Sequence, residues 1–117
     1  MCLILVAHRV RPDLPLVIAA NRDEFHSRPT LPATFWEEDP HIFAGRDLQA
    51  GGTWLGASAR GRLAALTAYR EPHPPAGLSR GLLVANFLTG DHDPYSYTQQ
   101  VGARGKEFPG FNLLVWE

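Results

Sequence analysis

Leu14-Pro15-Leu16-Val17-Ile18-Ala19-Ala20-Asn21-Arg22-Asp23-Glu24-Phe25 is the stretch on which the fold turns. The run from Leu14 to Ala20 is aliphatic and β-branched and reads as a strand. Arg22, Asp23 and Glu24 follow at the mouth of that strand, a costly place for charge unless the charges meet each other or a ligand. Working back, residues 2–8 read as another short strand, and Arg9 to Asp13, with Pro12 and Asp13, as the turn between the two. An antiparallel hairpin sets the start of its first strand opposite the end of its second. Cys2 is therefore expected beside Asn21, Arg22 and Asp23. A thiol next to a guanidinium and a carboxylate is a candidate for an activated nucleophile. The plainer reading makes Cys2 a small buried apolar residue, and Arg22 with Asp23 or Glu24 an ion pair closing the sheet end.

Moving outward, residues 26–40 hold Pro29, Pro32 and Pro40 and read as a proline-stiffened loop. His41 to Ala44 is a short strand. Gly51-Gly52 can take positive φ or allow close backbone approach ahead of a strand from Thr53 to Ala57. Ala59-Arg60-Gly61 is a tight turn into an antiparallel partner, Arg62 to Ala68. Glu71 to Gly77 is a Pro-rich loop. The period then changes: Leu83, Val84, Phe87 and Leu88 stand at helical spacing, with Ser79 as N-cap and Gly90 past the end. Asp93-Pro94 caps and opens a second helix through Tyr97 and Val101, ending near Gly102 or Gly105. Phe111 to Trp116 is a last strand. Antiparallel strands, two helices and a strand make an α+β fold with helices stacked on a sheet.

Composition agrees with one small globular domain over residues 1–117: 44% hydrophobic, 20% charged, net charge -1. Without a basic excess, nucleic acid or an anionic membrane is a poor main partner. No run approaches membrane-spanning length, so no integral membrane segment is expected. One cysteine allows neither an internal disulfide nor a cysteine-rich metal site, which suits a reducing, cytoplasmic setting. His8, His26, His41, His73 and His92 show no metal-ligand spacing, so no metal and no cofactor are expected. Gly51 to Gly56 lacks the Lys-Ser/Thr of a phosphate loop. The chain stops directly after a strand and is read as the N-terminal portion of a longer domain.

Cys2 behind Met1, Asn21-Arg22-Asp23-Glu24, Gly45-Arg46-Asp47, Gly51-Gly52-Thr53-Trp54-Leu55-Gly56, Ser79-Arg80-Gly81 and Gly110-Phe111-Asn112-Leu113-Leu114-Val115 occur in this order. Together they resemble the NRDE family, also called the transport and Golgi organisation protein 2 family. That family is similar in pattern to N-terminal-nucleophile hydrolases of the choloylglycine hydrolase and penicillin acylase type. The resemblance implies an αββα sandwich, antiparallel sheets between helix layers, incomplete in this chain. It also implies Cys2 as the nucleophile of an amidohydrolase, Arg22 polarising or orienting it, and Asp23 holding the free amine. Asn21 and Glu24 would contact the substrate, a small non-peptide amide. An α-amine, with a reference pKa of about 7.7–8.0, can take the thiol proton.

The chain departs from the family pattern at Leu66-Thr67-Ala68, where an asparagine usually follows the threonine. In the hydrolase relatives an asparagine at the comparable strand end is an oxyanion donor, and losing such a donor elsewhere costs roughly 10²–10³ in rate. While Met1 is attached, the Cys2 nitrogen is an amide and no base. Both points give weight to a non-enzymatic alternative that the resemblance also implies: a carrier or trafficking factor for haem or acyl lipids. There His8 or Cys2 would ligate iron, although no covalent haem motif is present. In either case the partner is a small molecule.

Overall fold

The computed structural model of the chain describes residues 2–74 and 76–117. β1 (Ile4–Arg11) and β2 (Leu14–Ala20) form the expected antiparallel hairpin, in register from Ile4↔Ala20 to His8↔Leu16. β1 runs further than its composition suggests. A bulge between His8 and Arg11, with Arg9 at φ 54, absorbs the irregularity and leaves Pro12-Asp13 at the tip.

The loop expected over residues 26–40 is corrected by β3 (Thr30–Phe35). Pro32 has no N–H for a ladder. However, β3 is the edge strand of the second sheet, and its register slips between Leu31 and Thr34, so no ladder bond is lost there. β4 (Ile42–Asp47), β5 (Leu55–Ser58), β6 (Arg62–Ala68) and β7 (Phe111–Trp116) complete five antiparallel strands in the order β3-β4-β5-β6-β7. β5 starts later than the strand read from Thr53, whose N–H donates to the Gly81 carbonyl at 3.2 Å rather than to a neighbouring strand.

Two helices, α1 (Gly81–Thr89) and α2 (Pro94–Ala103), lie between β6 and β7. Ser79 does not cap α1 through its side chain. The N-cap is Arg80, without a side-chain cap bond, and Ser79 supplies only its carbonyl, accepting from Leu82 N–H at 3.1 Å. Asp93 does cap α2: Oδ1 accepts from Ser96 N–H at 2.9 Å and Oδ2 from the Ser96 hydroxyl at 2.7 Å. Those Ser96 bonds hold its carboxyl below the ordinary aspartate range.

α1 lies across β4 to β7 and buries Leu83, Val84, Phe87 and Leu88 against Ile42, Ala44 and Ala64. Each such large side chain contributes about 1.5–3 kcal/mol on burial. Gly56 permits the approach: a methyl there would lie 2.7 Å from both Ala44 Cβ and Leu88 Cδ1. α2 adds a second layer through Tyr97, whose ring centroid is 5.2 Å from that of Phe87 and whose hydroxyl donates to the Leu83 carbonyl at 2.6 Å. Burial pushes the Tyr97 phenol up to about 12.

The other face of the sheet carries an apolar row, Phe35, Phe43, Ala57, Leu63 and Trp116, aligned by strand register from edge to edge. The hairpin also carries exposed apolar residues, Leu3, Leu5, Val6, Val10, Leu14 and Val17. Two antiparallel sheets and two helices thus make the α+β fold that was read from the sequence. Among the described residues no helix is long and apolar enough to cross a membrane.

Candidate functional site

The hairpin register decides what stands beside the sulfur. Past the last ladder pair, Asn21 N–H donates to the Leu3 carbonyl at 3.2 Å, and Leu3 N–H donates to Asn21 Oδ1 at 3.0 Å. The asparagine side chain therefore supplies the acceptor that the end of the ladder lacks. One step further, Asp23 N–H points to Cys2 Sγ at 3.4 Å. Cys2 is partly buried and lines a cavity of about 480 Å³ together with Asn21, Arg22, Asp23 and Glu24. Met1, whose removal would free the Cys2 amine, lies outside the described residues.

Of the two partners read for Arg22, Asp23 and Glu24, the structure brings Glu24 to it. The Arg22 guanidinium sits 4.2 Å over the Trp54 ring, donates from Nη1 to Thr30 Oγ1 at 2.8 Å and has Nη2 3.8 Å from Glu24. Stacking and two polar partners lock it in place. Asp23 instead forms an ion pair with Arg70, just beyond β6. Glu24 also accepts from Phe25 N–H at 2.9 Å and lies 3.9 Å from Arg28. Arg22 therefore pairs with Glu24 within the segment, one of the two partners read for it, while Asp23 reaches across to Arg70.

The floor of the cavity was not foreseen. Arg28 donates through Nε and Nη2 to the Asp47 carboxylate, the shorter contact 2.6 Å, and Asp47 Oδ1 also accepts from Gln49 N–H at 3.0 Å. Burial opposes the Asp47 charge, but hydrogen bonds from Arg28 and Gln49 outweigh it and leave the carboxyl below its ordinary range. The same arrangement raises Arg28. The signal was present in Gly45-Arg46-Asp47, but its partner lies 19 residues away and no local pattern joins them. Gly52 is tight for a related reason: a methyl there would be 2.4 Å from Gly81 C, so this turn and the start of α1 touch through backbone. Gly51 takes φ 82, as a two-glycine turn allows.

Ala68 also lines the cavity, so the position where the resemblance leads one to expect an amide donor presents a methyl group. His8 is exposed on β1 and is not among the residues lining the Cys2 cavity. Among the described residues no three His, Cys, Asp or Glu side chains cluster as a metal site.

A family model described as Transport and Golgi organisation 2 matches residues 1–117. The chain is 44% identical to the Transport and Golgi organization 2 homolog of Mus musculus over 98% of this chain and 45% of the mouse protein. It is 45% identical to the Homo sapiens Transport and Golgi organization protein 2 homolog over the same shares of both chains. The Drosophila melanogaster Transport and Golgi organization protein 2 is 34% identical over 100% of this chain and 46% of its own length. The chain spans about half the length of these curated relatives.

Proposed function

Given that the chain belongs to the Transport and Golgi organisation 2 family and opens its N-terminal sulfur onto a charged cavity, we propose that it is an amidohydrolase-like protein with Cys2 as nucleophile. The observation that carries this reading is the 3.4 Å contact from Asp23 N–H to Cys2 Sγ at the wall of that cavity. That contact holds the sulfur at the cavity wall, where the locked Arg22 also lies.

The chemistry balances without a cofactor. Once Met1 is removed, the Cys2 α-amine takes the thiol proton and the sulfur attacks a small acyl amide. The C–N bond breaks, the leaving amine departs with that proton, and a thioester remains. Water, deprotonated by the same amine, attacks the thioester carbonyl. The acid leaves and the thiol returns. Asp23 would orient the amine, Arg22 would fix the segment, and Asn21 and Glu24 would shape the wall that meets substrate. A cytoplasmic setting suits a lone free thiol.

The test uses p-nitrophenyl acetate as an activated acyl donor. A burst of nitrophenolate equal to the protein concentration is expected, with the acetyl group found on Cys2 by peptide mass spectrometry and both lost in Cys2→Ala. Wild type without a burst, or acetyl only on other residues, contradicts the reading.

One observation favours a second reading. Ala68 gives the cavity no amide donor, which suits a site that holds a small molecule, haem or an acyl lipid, without cleaving it. A haem titration read at the Soret band, with Cys2→Ala beside wild type, tests it: absence of a shift in wild type removes haem as cargo.

A further inference from the structure

The arginines around the Cys2 cavity are not equivalent. Arg22 is held by Trp54, Thr30 and Glu24, Arg28 by Asp47, and Arg70 by Asp23. Arg80 differs: Nη1 donates to the Gly110 carbonyl at 2.9 Å, and no carboxylate among the described residues lies within ion-pair distance of it. Arg80 is partly buried and lines both the Cys2 cavity and an adjoining one of about 630 Å³ beside Tyr69 and Arg70.

We propose that Arg80 is the anion-recognition residue of this site, and that the ligand carries a carboxylate or phosphate which Arg80 binds while the reacting group faces Cys2. The Gly110 carbonyl takes Nη1 and leaves Nε and Nη2 for a planar anion, the two-pronged contact in which arginine exceeds lysine. Neighbouring carboxylates set the selectivity. Asp23 and Glu24 line both cavities but are paired with arginines. Glu71 stands against Gly110, where a methyl would be 2.7 Å from its Oε1. It repels an anion that strays from the Arg80 fork. The proposal deepens the function above and rests on a ligand entering the Cys2 cavity.

Iodoacetate and iodoacetamide test it, because they alkylate the same sulfur and differ by one negative charge. The quantity read is the ratio of their rates at Cys2, relative to the ratio for the uncharged N-acetylcysteine methylamide. Wild type is expected to favour iodoacetate about 5-fold over that reference, Arg80→Gln to fall to the reference, and Arg80→Lys to keep part of the preference. The iodoacetamide rate of each variant serves as its internal check for a folded, accessible site. Protection of the iodoacetate reaction by acetate alone marks a carboxylate ligand, and by inorganic phosphate alone a phosphate. Protection by neither, or an Arg80→Gln ratio equal to wild type, overturns the proposal. A slow iodoacetamide reaction in every protein would count against Cys2 as an activated nucleophile while leaving the ratio readable.

Discussion

Arg62→Ala is expected to destabilise the chain by about 3–5 kcal/mol, a large share of the roughly 5–15 kcal/mol typical of a small domain. Arg62 opens β6 and is 4% exposed, and both terminal nitrogens of its guanidinium are hydrogen-bonded. It donates to the carbonyls of Phe87, at 2.9 Å, and Gly90, which close the C-terminal end of α1, and to that of His92 in the connection to α2. It also stacks 4.1 Å from the Phe87 ring. Glu117 Oε2 stands 2.8 Å from Nε but off the N–H direction, so that pair adds charge attraction and no hydrogen bond. Alanine would leave three carbonyls without their donor and a void beside Phe87, and both effects act on the same helix. Lysine could reach one carbonyl and should recover only a minor part. Urea unfolding reads this directly: a midpoint shift worth less than about 1 kcal/mol would contradict the capping role.

The state of Met1 should change turnover by roughly 10²–10⁴, the usual contribution of a general base. With Met1 attached, the Cys2 nitrogen is a peptide amide and cannot accept a proton at neutral pH. An activated ester would still acylate the sulfur, because that step needs only thiolate. Release of the acyl group needs a base for water and should stall. Two preparations, one treated with methionine aminopeptidase and one not, would have their masses verified and then be compared for the burst and the steady-state rate on p-nitrophenyl acetate. A burst in both with turnover only in the processed chain fits the mechanism. Equal turnover in both would exclude the α-amine as base.

Features carried by neighbouring residues were legible in the sequence. Asp93-Pro94 announces the start of α2 because the cap and its partner Ser96 are three residues apart. The β1–β2 hairpin was legible because two aliphatic runs flank one turn, and its register carried Cys2 to Asp23 as expected. β3 was hidden because proline reads as a strand breaker unless the strand is known to be an edge. Ser79 misled because its residue type suits a cap, whereas the helix starts at Gly81, whose backbone packs against Gly52 and Thr53, and the cap position falls to Arg80. The partners of the charged segment were out of reach for a different reason. Asp23 meets Arg70 across 47 residues, Arg28 meets Asp47 across 19, and Arg62 closes α1 across 25. An arginine in sequence shows its charge and length but not the distant acceptor that folding brings to it.

The central claim is that folding makes the chain's single thiol more reactive than an ordinary one by setting it at the Asn21–Glu24 segment. The direct measurement is the iodoacetamide rate at Cys2, at pH 7, for the native chain and for the same chain unfolded in urea, followed by intact mass. The account predicts faster alkylation in the native state, by about 10-fold. Slower alkylation in the native state than in the unfolded chain would contradict it and leave Cys2 a packed strand residue.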